Sequence, residues 1–252
     1  MNFPLRLLLF FSIGSLSLLL TDNFQLQKIA VCSTSSPSDI PLEPSIHSIL
    51  SQKFHYLAKG SQSYVFASED GSYVIKLFKD PRKHLYSWTW IGSQLIKKGP
   101  RWVWKTLHSD KRQQKWDRHL ASLHYAVAAL RQETGILYAH LEGTTRLNLP
   151  LVITDKIHIA HTLALDSLPF VLQKRATPLQ EHLNMLNSAE KERCLEAAKN
   201  LLQAVEIKGL VYTDNKIDNW GYVEGGPMLM DLGCIQEKPS FCKTRVVRPV
   251  DY

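Results

Sequence analysis

The stretch Tyr212-Thr213-Asp214-Asn215-Lys216-Ile217-Asp218-Asn219, followed twelve residues after its end by Asp231-Leu232-Gly233, decides the reading of this chain. It sets a carboxylate, a lysine and a carboxamide at short fixed offsets in a polar loop, and a second carboxylate beyond it. The flanks give the loop a structural frame. Upstream, Asn187 with Glu190 three residues on has the form of a capping box. Apolar or small residues then recur at Cys194, Ala198, Leu201, Leu202 and Val205, and Gly209 marks a helix stop. A short strand follows at Leu210-Val211-Tyr212. Downstream, Trp220 to Val223, a Gly225-Gly226 turn and Met228 to Met230 form a hairpin pattern whose end delivers Asp231.

Working outward, Tyr73-Val74-Ile75-Lys76 places a single lysine inside an apolar strand. Before it, Ala58-Lys59-Gly60-Ser61-Gln62-Ser63-Tyr64-Val65 is a small-residue loop between two strands, the second ending at the Asp70-Gly71 turn. Residues 111–134 show helical spacing at Leu120, Leu123, Val127 and Leu130, and Gly135 ends the run. Leu151 to Thr154 and Pro169 to Leu172 read as two more strands. Each motif alone has a plain structural reading: Asp214-Asn215 as an Asx turn, Asp231 as a hairpin end, Lys76 as an edge-strand lysine. Together and in this order they match the needs of phosphoryl transfer from Mg·ATP. That chemistry uses a small-residue loop over the phosphates, a strand lysine, a carboxylate base, and an Asn with a second carboxylate on the metal.

On these residues the chain resembles the protein-kinase-like superfamily, over about residues 51–235. Residues 58–65 resemble its Gly-rich loop, with Ala58 and Ser63 at the outer glycine positions and Gly60 keeping the middle one. Lys76 stands where the strand lysine does, Asp214 and Asn219 where the catalytic-loop Asp and Asn do, and Asp231-Leu232-Gly233 where D-F-G does. The resemblance implies an α+β, bilobal fold with a β-rich N-lobe (residues 51–172) and a reduced C-lobe (173–252). It implies ATP and Mg as cofactors. Gly60, Ser61, Ser63, Lys76, Glu133 and Gln173 would surround the nucleotide, Asn219 and Asp231 would hold the metal, and Asp214 with Lys216 would serve the reacting hydroxyl. Glu133 enters because the helix before Gly135 should supply a partner for Lys76, and Gln173 because Phe170-Val171-Leu172-Gln173 would be the hinge facing adenine. Nineteen residues follow Gly233, with no A-P-E motif. In this the chain is similar to small bacterial phosphotransferases acting on lipopolysaccharide core sugars. The acceptor, whether glycolipid, sugar or protein hydroxyl, stays open. So does the alternative of a pseudokinase that keeps the fold as a nucleotide-independent binding or scaffold module.

Composition adds a location. The chain has 252 residues and a net charge of +7, with four cysteines and no CxxC pair, which excludes a Cys₄ zinc ribbon and a disulfide-dense miniprotein. His158 and His161 have no carboxylate or cysteine cluster that would make them metal ligands. Residues 82–118 carry ten Lys or Arg against two acids, and five of the six tryptophans. Such a basic, Trp-rich insertion suits an anionic membrane surface; nucleic acid ranks behind it, since no recognition motif stands beside the charge. Residues 1–21, with one basic residue and a long apolar run, read as a signal peptide or membrane anchor, and the protein as membrane-associated or secreted. Residues 22–50 read as a linker, Ser/Pro-rich from 33 to 45, with the folded part starting near Ser45.

Overall fold

The computed structural model describes residues 22, 24–32, 42–80, 101–143 and 147–239, with side chains of the 101–129 helix described from residue 113 onward. The chain opens with a single helical turn at Leu26–Lys28, then α1 (Pro44–Leu50), β1 (Lys53–Lys59), β2 (Ser63–Ser68) and β3 (Tyr73–Phe78). Next come α2 (Arg101–Ala129), the short α3 (Arg131–Thr134), β4 (Ile136–His140), β5 (Pro150–Thr154), β6 (Ala160–Ala164) and β7 (Phe170–Lys174). The second half holds β8 (Thr177–Pro178), α4 (Leu179–Met185), α5 (Ser188–Ile207), β9 (Leu210–Tyr212), β10 (Trp220–Val223), β11 (Gly226–Leu229) and β12 (Ile235–Glu237).

This is an α+β fold with two lobes. The first is a seven-stranded sheet in the order β4-β7-β3-β2-β1-β5-β6. All neighbours in it are antiparallel except β1 and β5. Strand β3, rich in β-branched and aromatic residues, lies in its interior. Ile75 and Leu77 on one side and Phe78 at its end are almost fully buried, each worth about 1.5–3 kcal/mol of apolar burial. One core lies on the outer face of the sheet, around Phe54, Phe66, Ile75 and Ile153. The other is shared by α2, α5 and the small strands of the second half, and Phe78 and Val171 join it from the sheet. Site residues can therefore come from both lobes, because β3 and β7 reach one core on each side.

The local signals explain the elements. Asn187 caps α5 by accepting from the Glu190 N–H, and the Glu190 carboxylate accepts the Asn187 N–H in return. Gly209 (φ 77°) and Gly135 (φ 62°) take the left-handed conformation just past helix ends. The helix expected over 111–134 runs from Arg101, and at Leu130 it breaks into the single turn α3.

Two expectations change. Part of the 22–50 segment, read as a linker, is packed. Phe24 makes edge contacts with Tyr56, Tyr64 and Phe66, Ala30 N–H donates to the Phe78 carbonyl, and Asp80 N–H donates to that of Lys28. Phe24 and Ile29 are apolar enough to bury, which the Ser/Pro-rich stretch after them concealed. The folded part thus begins well before Ser45. Residues 1–21 and 81–100, including Trp88 and Trp90, lie outside the described residues, as do the side chains of Trp102 and Trp104. Trp116, the last tryptophan of the basic segment, packs against the second core and the Phe78 ring. Among the described residues no helix is long and apolar enough to cross a membrane.

Candidate functional site

Between the lobes lies a cleft of about 600 Å³. Its roof is the turn joining β1 and β2. Gly60 N–H donates to the Ser63 carbonyl at 2.9 Å and Lys79 N–H to that of Gln62 at 2.8 Å. The Lys79 ammonium donates to the Gly60 carbonyl and sits over the Tyr64 ring, 4.2 Å from its centroid. Burial pushes that ammonium down to about 8. The tip is thereby tied at its base, while Gly60 and Ser61 stay exposed toward the cleft.

Lys76 points into the same space from β3. Its ammonium donates to the Met230 carbonyl, one residue before Asp231, so residues far apart in sequence meet here. Burial lowers the Lys76 ammonium to about 8, against the pull of Asp231. The edge-strand reading of this lysine does not hold, since β3 is an interior strand.

The floor comes from the polar loop. Asn219 N–H donates to the Lys216 carbonyl, and the Asn219 side-chain N–H to that of Asp214 at 2.9 Å. The Asn219 carbonyl accepts from Met230 N–H at 2.8 Å, which holds the start of the Asp231 turn against it. In that turn the Asp231 carboxylate accepts from Gly233 N–H at 2.9 Å. Asn219 Oδ1 and the Asp231 carboxylate are oxygen donors that this wall offers a divalent cation, and Asp218 of the same loop also lines the cleft. Mg²⁺ commonly takes one or two protein oxygens and completes its shell with water and phosphate. Among the described residues there is no group of three His, Cys, Asp or Glu able to hold a metal alone, so the donor set suits a cation that arrives with its own oxygen ligands.

Gly60, Ser61, Ser63, Lys76, Gln173, Asn219 and Asp231 all line this cleft. Asp214, Lys216 and Glu133 do not. Asp214 flanks it, its carboxylate 3.2 Å from the exposed Lys216 ammonium. The Asp214 loop is stapled in place: Thr213 N–H donates to the Cys234 carbonyl at 2.8 Å, and the Trp220 indole to Asn215 at 2.9 Å. Glu133 is a correction. It sits at the end of α3 and pairs with Lys208, because the break at Leu130 turns it away from β3 and toward the end of α5. Gln173 lines the cleft, but its side-chain N–H donates to the Thr134 carbonyl at 2.7 Å. That amide braces α3 against β7 and is not free to read a ligand's edge.

Two residues of α2 were missed. His119 and Ser122 lie on the face that also buries Leu123, Ala126 and Leu130. His119 lines the cleft, and burial depresses its imidazole to about 4, against the pull of Asp231. Ser122 donates to the Leu232 carbonyl and accepts from Ile235 N–H at 2.7 Å, locking the helix to the turn after Asp231. The signal was periodic: positions 119, 123, 126 and 130 fall on one helical stripe. Cys234, next to this turn, is pushed up to about 11 by burial and by Asp231, so it stays a thiol and is a poor nucleophile.

No family model matches the chain, and no curated protein matches it. Among solved structures, the complex of Rv3197 with erythromycin from Mycobacterium tuberculosis is similar at 15% identity and a TM-score of 0.39. The match covers 77% of this chain and 49% of that one, so the chain spans about half the length of that protein.

Proposed function

We propose that the chain is an ATP- and Mg-dependent phosphotransferase of the protein-kinase-like type, working at or near a membrane surface. The observation that carries this reading is the convergence of Lys76, Asn219, Asp231 and the Gly60–Ser63 turn on one cleft, though Lys76 and Asp231 stand 155 residues apart. The residues also fit the cofactor. Lys76 holds a half-buried positive charge against a backbone carbonyl, with Glu133 turned away to Lys208, a place where a phosphate oxygen gives more than water does.

In this reading the Gly60–Ser63 turn covers the phosphates and Lys76 neutralises them. Asn219 Oδ1 and Asp231 would hold the metal, which would supply charge stabilisation to the transferred phosphoryl group. Asp214, at the rim and within reach of solvent, accepts the proton of the acceptor hydroxyl. The neighbouring Lys216 compensates its charge until the acceptor arrives. The membrane part of the proposal rests on residues 1–21 and 82–118 and on their composition alone.

A pseudokinase is the second reading, and two observations favour it: Glu133 is spent on Lys208, and Asp214 stands outside the cleft lining. Turnover of ATP separates the two. The active reading expects Mg-dependent ATP hydrolysis or transfer that Asp214→Ala lowers at least 100-fold while nucleotide binding is kept. A wild-type protein with neither Mg·ATP binding nor Mg-dependent turnover would leave the pseudokinase reading, a nucleotide-independent binding or scaffold module, standing.

A further inference from the structure

The inner wall of the cleft contains one group that neither the motif order nor the proposed mechanism uses. His119 is 5% exposed, yet neither of its ring nitrogens has a hydrogen-bond partner. A neutral imidazole has one donor and one acceptor, and leaving both unmet in a buried place is unfavourable unless a ligand meets them. The ring cannot turn away to find water. Phe78 lies 5.2 Å from its centroid at an edge-on angle and Trp116 lies 6.0 Å away. Behind it is the Gly233 backbone, so close that a Cβ there would stand 2.7 Å from Nδ1. On its remaining side the ring lines the cleft together with Lys76 and Asp231.

From its described residues the helix therefore presents an imidazole to the half-buried lysine. The cleft lining holds Lys59, Lys76, Lys174 and Arg175 with His119, against the carboxylates of Glu181, Asp218 and Asp231, the last already accepting from Gly233 N–H. This arrangement has more donor capacity than acceptors. The complementary ligand is an anion rich in acceptor oxygens.

We infer that His119 is a phosphate-binding residue of this cleft, donating its Nε2–H to the same polyphosphate that Lys76 neutralises. The inference rests on the phosphotransferase reading for the identity of the anion, and it adds a residue that the resemblance does not supply. An amide can replace the donor, whereas a phenyl ring fills the same aromatic pocket and donates nothing.

The test is calorimetric titration of the full chain with Mg·ADP, Mg·pyrophosphate and adenosine, using wild type, His119→Gln and His119→Phe. The expected result is at least a tenfold loss of Mg·ADP and Mg·pyrophosphate affinity in His119→Phe, with adenosine affinity within twofold of wild type and His119→Gln within about threefold for all three. A His119→Phe protein that binds Mg·ADP and Mg·pyrophosphate like wild type would overturn the inference. So would equal losses in the Phe and Gln variants, which would mark His119 as a packing residue. If the wild type takes Mg·pyrophosphate but neither Mg·ADP nor adenosine, the nucleotide reading fails, and His119 stands if His119→Phe loses the pyrophosphate. If the wild type takes none of the three, both readings fail. Should His119→Phe not fold, the ¹⁵N signals of the His119 ring in wild type answer the question: they move on adding Mg·ADP if the inference holds, and unmoved signals overturn it.

Discussion

Replacing Gly233 by Ala tests how the cleft's inner wall is built. Gly233 is not called for by a left-handed φ, because it does not have one. It is called for by His119: an added Cβ would stand 2.7 Å from Nδ1 and 3.2 Å from Cε1, and 3.4 Å from the Asp231 carboxylate. Relief by movement of the ring is blocked by Phe78 and Trp116. Relief by movement of the turn is blocked by Ser122, which grips both the Leu232 carbonyl and Ile235 N–H. Overpacking of this kind costs about 1–3 kcal/mol. In a His119→Ala background the clash is absent, and the same Gly233→Ala change should cost under about 0.5 kcal/mol, which is the usual error of additivity. Urea unfolding of the wild type, both single variants and the double variant gives the coupling directly. A coupling of at least about 1 kcal/mol is expected. Additive losses would show that His119 and Gly233 do not touch, and the description of the inner wall would be wrong.

Ser122→Ala should destabilise the chain by about 1–3 kcal/mol, since it strands a buried carbonyl and a buried N–H; denaturant midpoints check this, and a loss below the measurement error would contradict it. Lys76→Met should stabilise the fold near pH 7. Burial brings the Lys76 ammonium down from 10.5 to about 8, so below pH 8 the folded state bears the cost of a desolvated charge. Between pH 8 and 10.5 the folded state sheds that proton before the unfolded chain does, and wild-type stability rises with pH. The shift corresponds to about 3 kcal/mol at most, reduced by contact with cleft water. A gain of about 1–3 kcal/mol in Lys76→Met at pH 7 that shrinks toward pH 10 is therefore expected from unfolding at several pH values. Co-sedimentation with vesicles tests the basic segment: binding should need anionic lipid and weaken with salt, whereas indifference to lipid charge would remove the membrane proposal.

Much of the site was legible because its pieces are local. The Asp214–Asn219 spacing, the capping box at Asn187 and the Gly225-Gly226 turn are set by chemistry within a few residues, and each stands where the sequence put it. The strand lysine was equally legible, since one charge inside Tyr73–Phe78 has few places to go. What was not legible depends on tertiary packing. The break at Leu130 leaves no strong mark in the sequence, yet it decides that Glu133 meets Lys208 and not Lys76. The β5–β6 hairpin was half seen: Leu151–Thr154 is a short β-branched apolar run that reads as a strand. The partner strand Ala160–Ala164 has no buried residue and carries no strong apolar signal, a pattern that a loop would share. Phe24 and Ile29 were hidden by the low-complexity stretch beside them; Phe24 packs on the aromatic patch of Tyr56, Tyr64 and Phe66, and Ile29 joins the core on the outer face of the sheet. His119 was visible only as a helical stripe position, and its meaning comes from what stands opposite it in space.

The central claim is that Lys76 and Asp231 form one Mg-dependent nucleotide site. Calorimetric titration of Mg·ATP into wild type, Lys76→Ala and Asp231→Ala, each with and without Mg²⁺, tests it most directly. The account predicts binding by the wild type that weakens at least tenfold without Mg²⁺, a loss of at least tenfold in Lys76→Ala, and an affinity in Asp231→Ala that no longer responds to Mg²⁺. Mg·ATP affinity that is absent in the wild type, or unchanged by both substitutions, would contradict it.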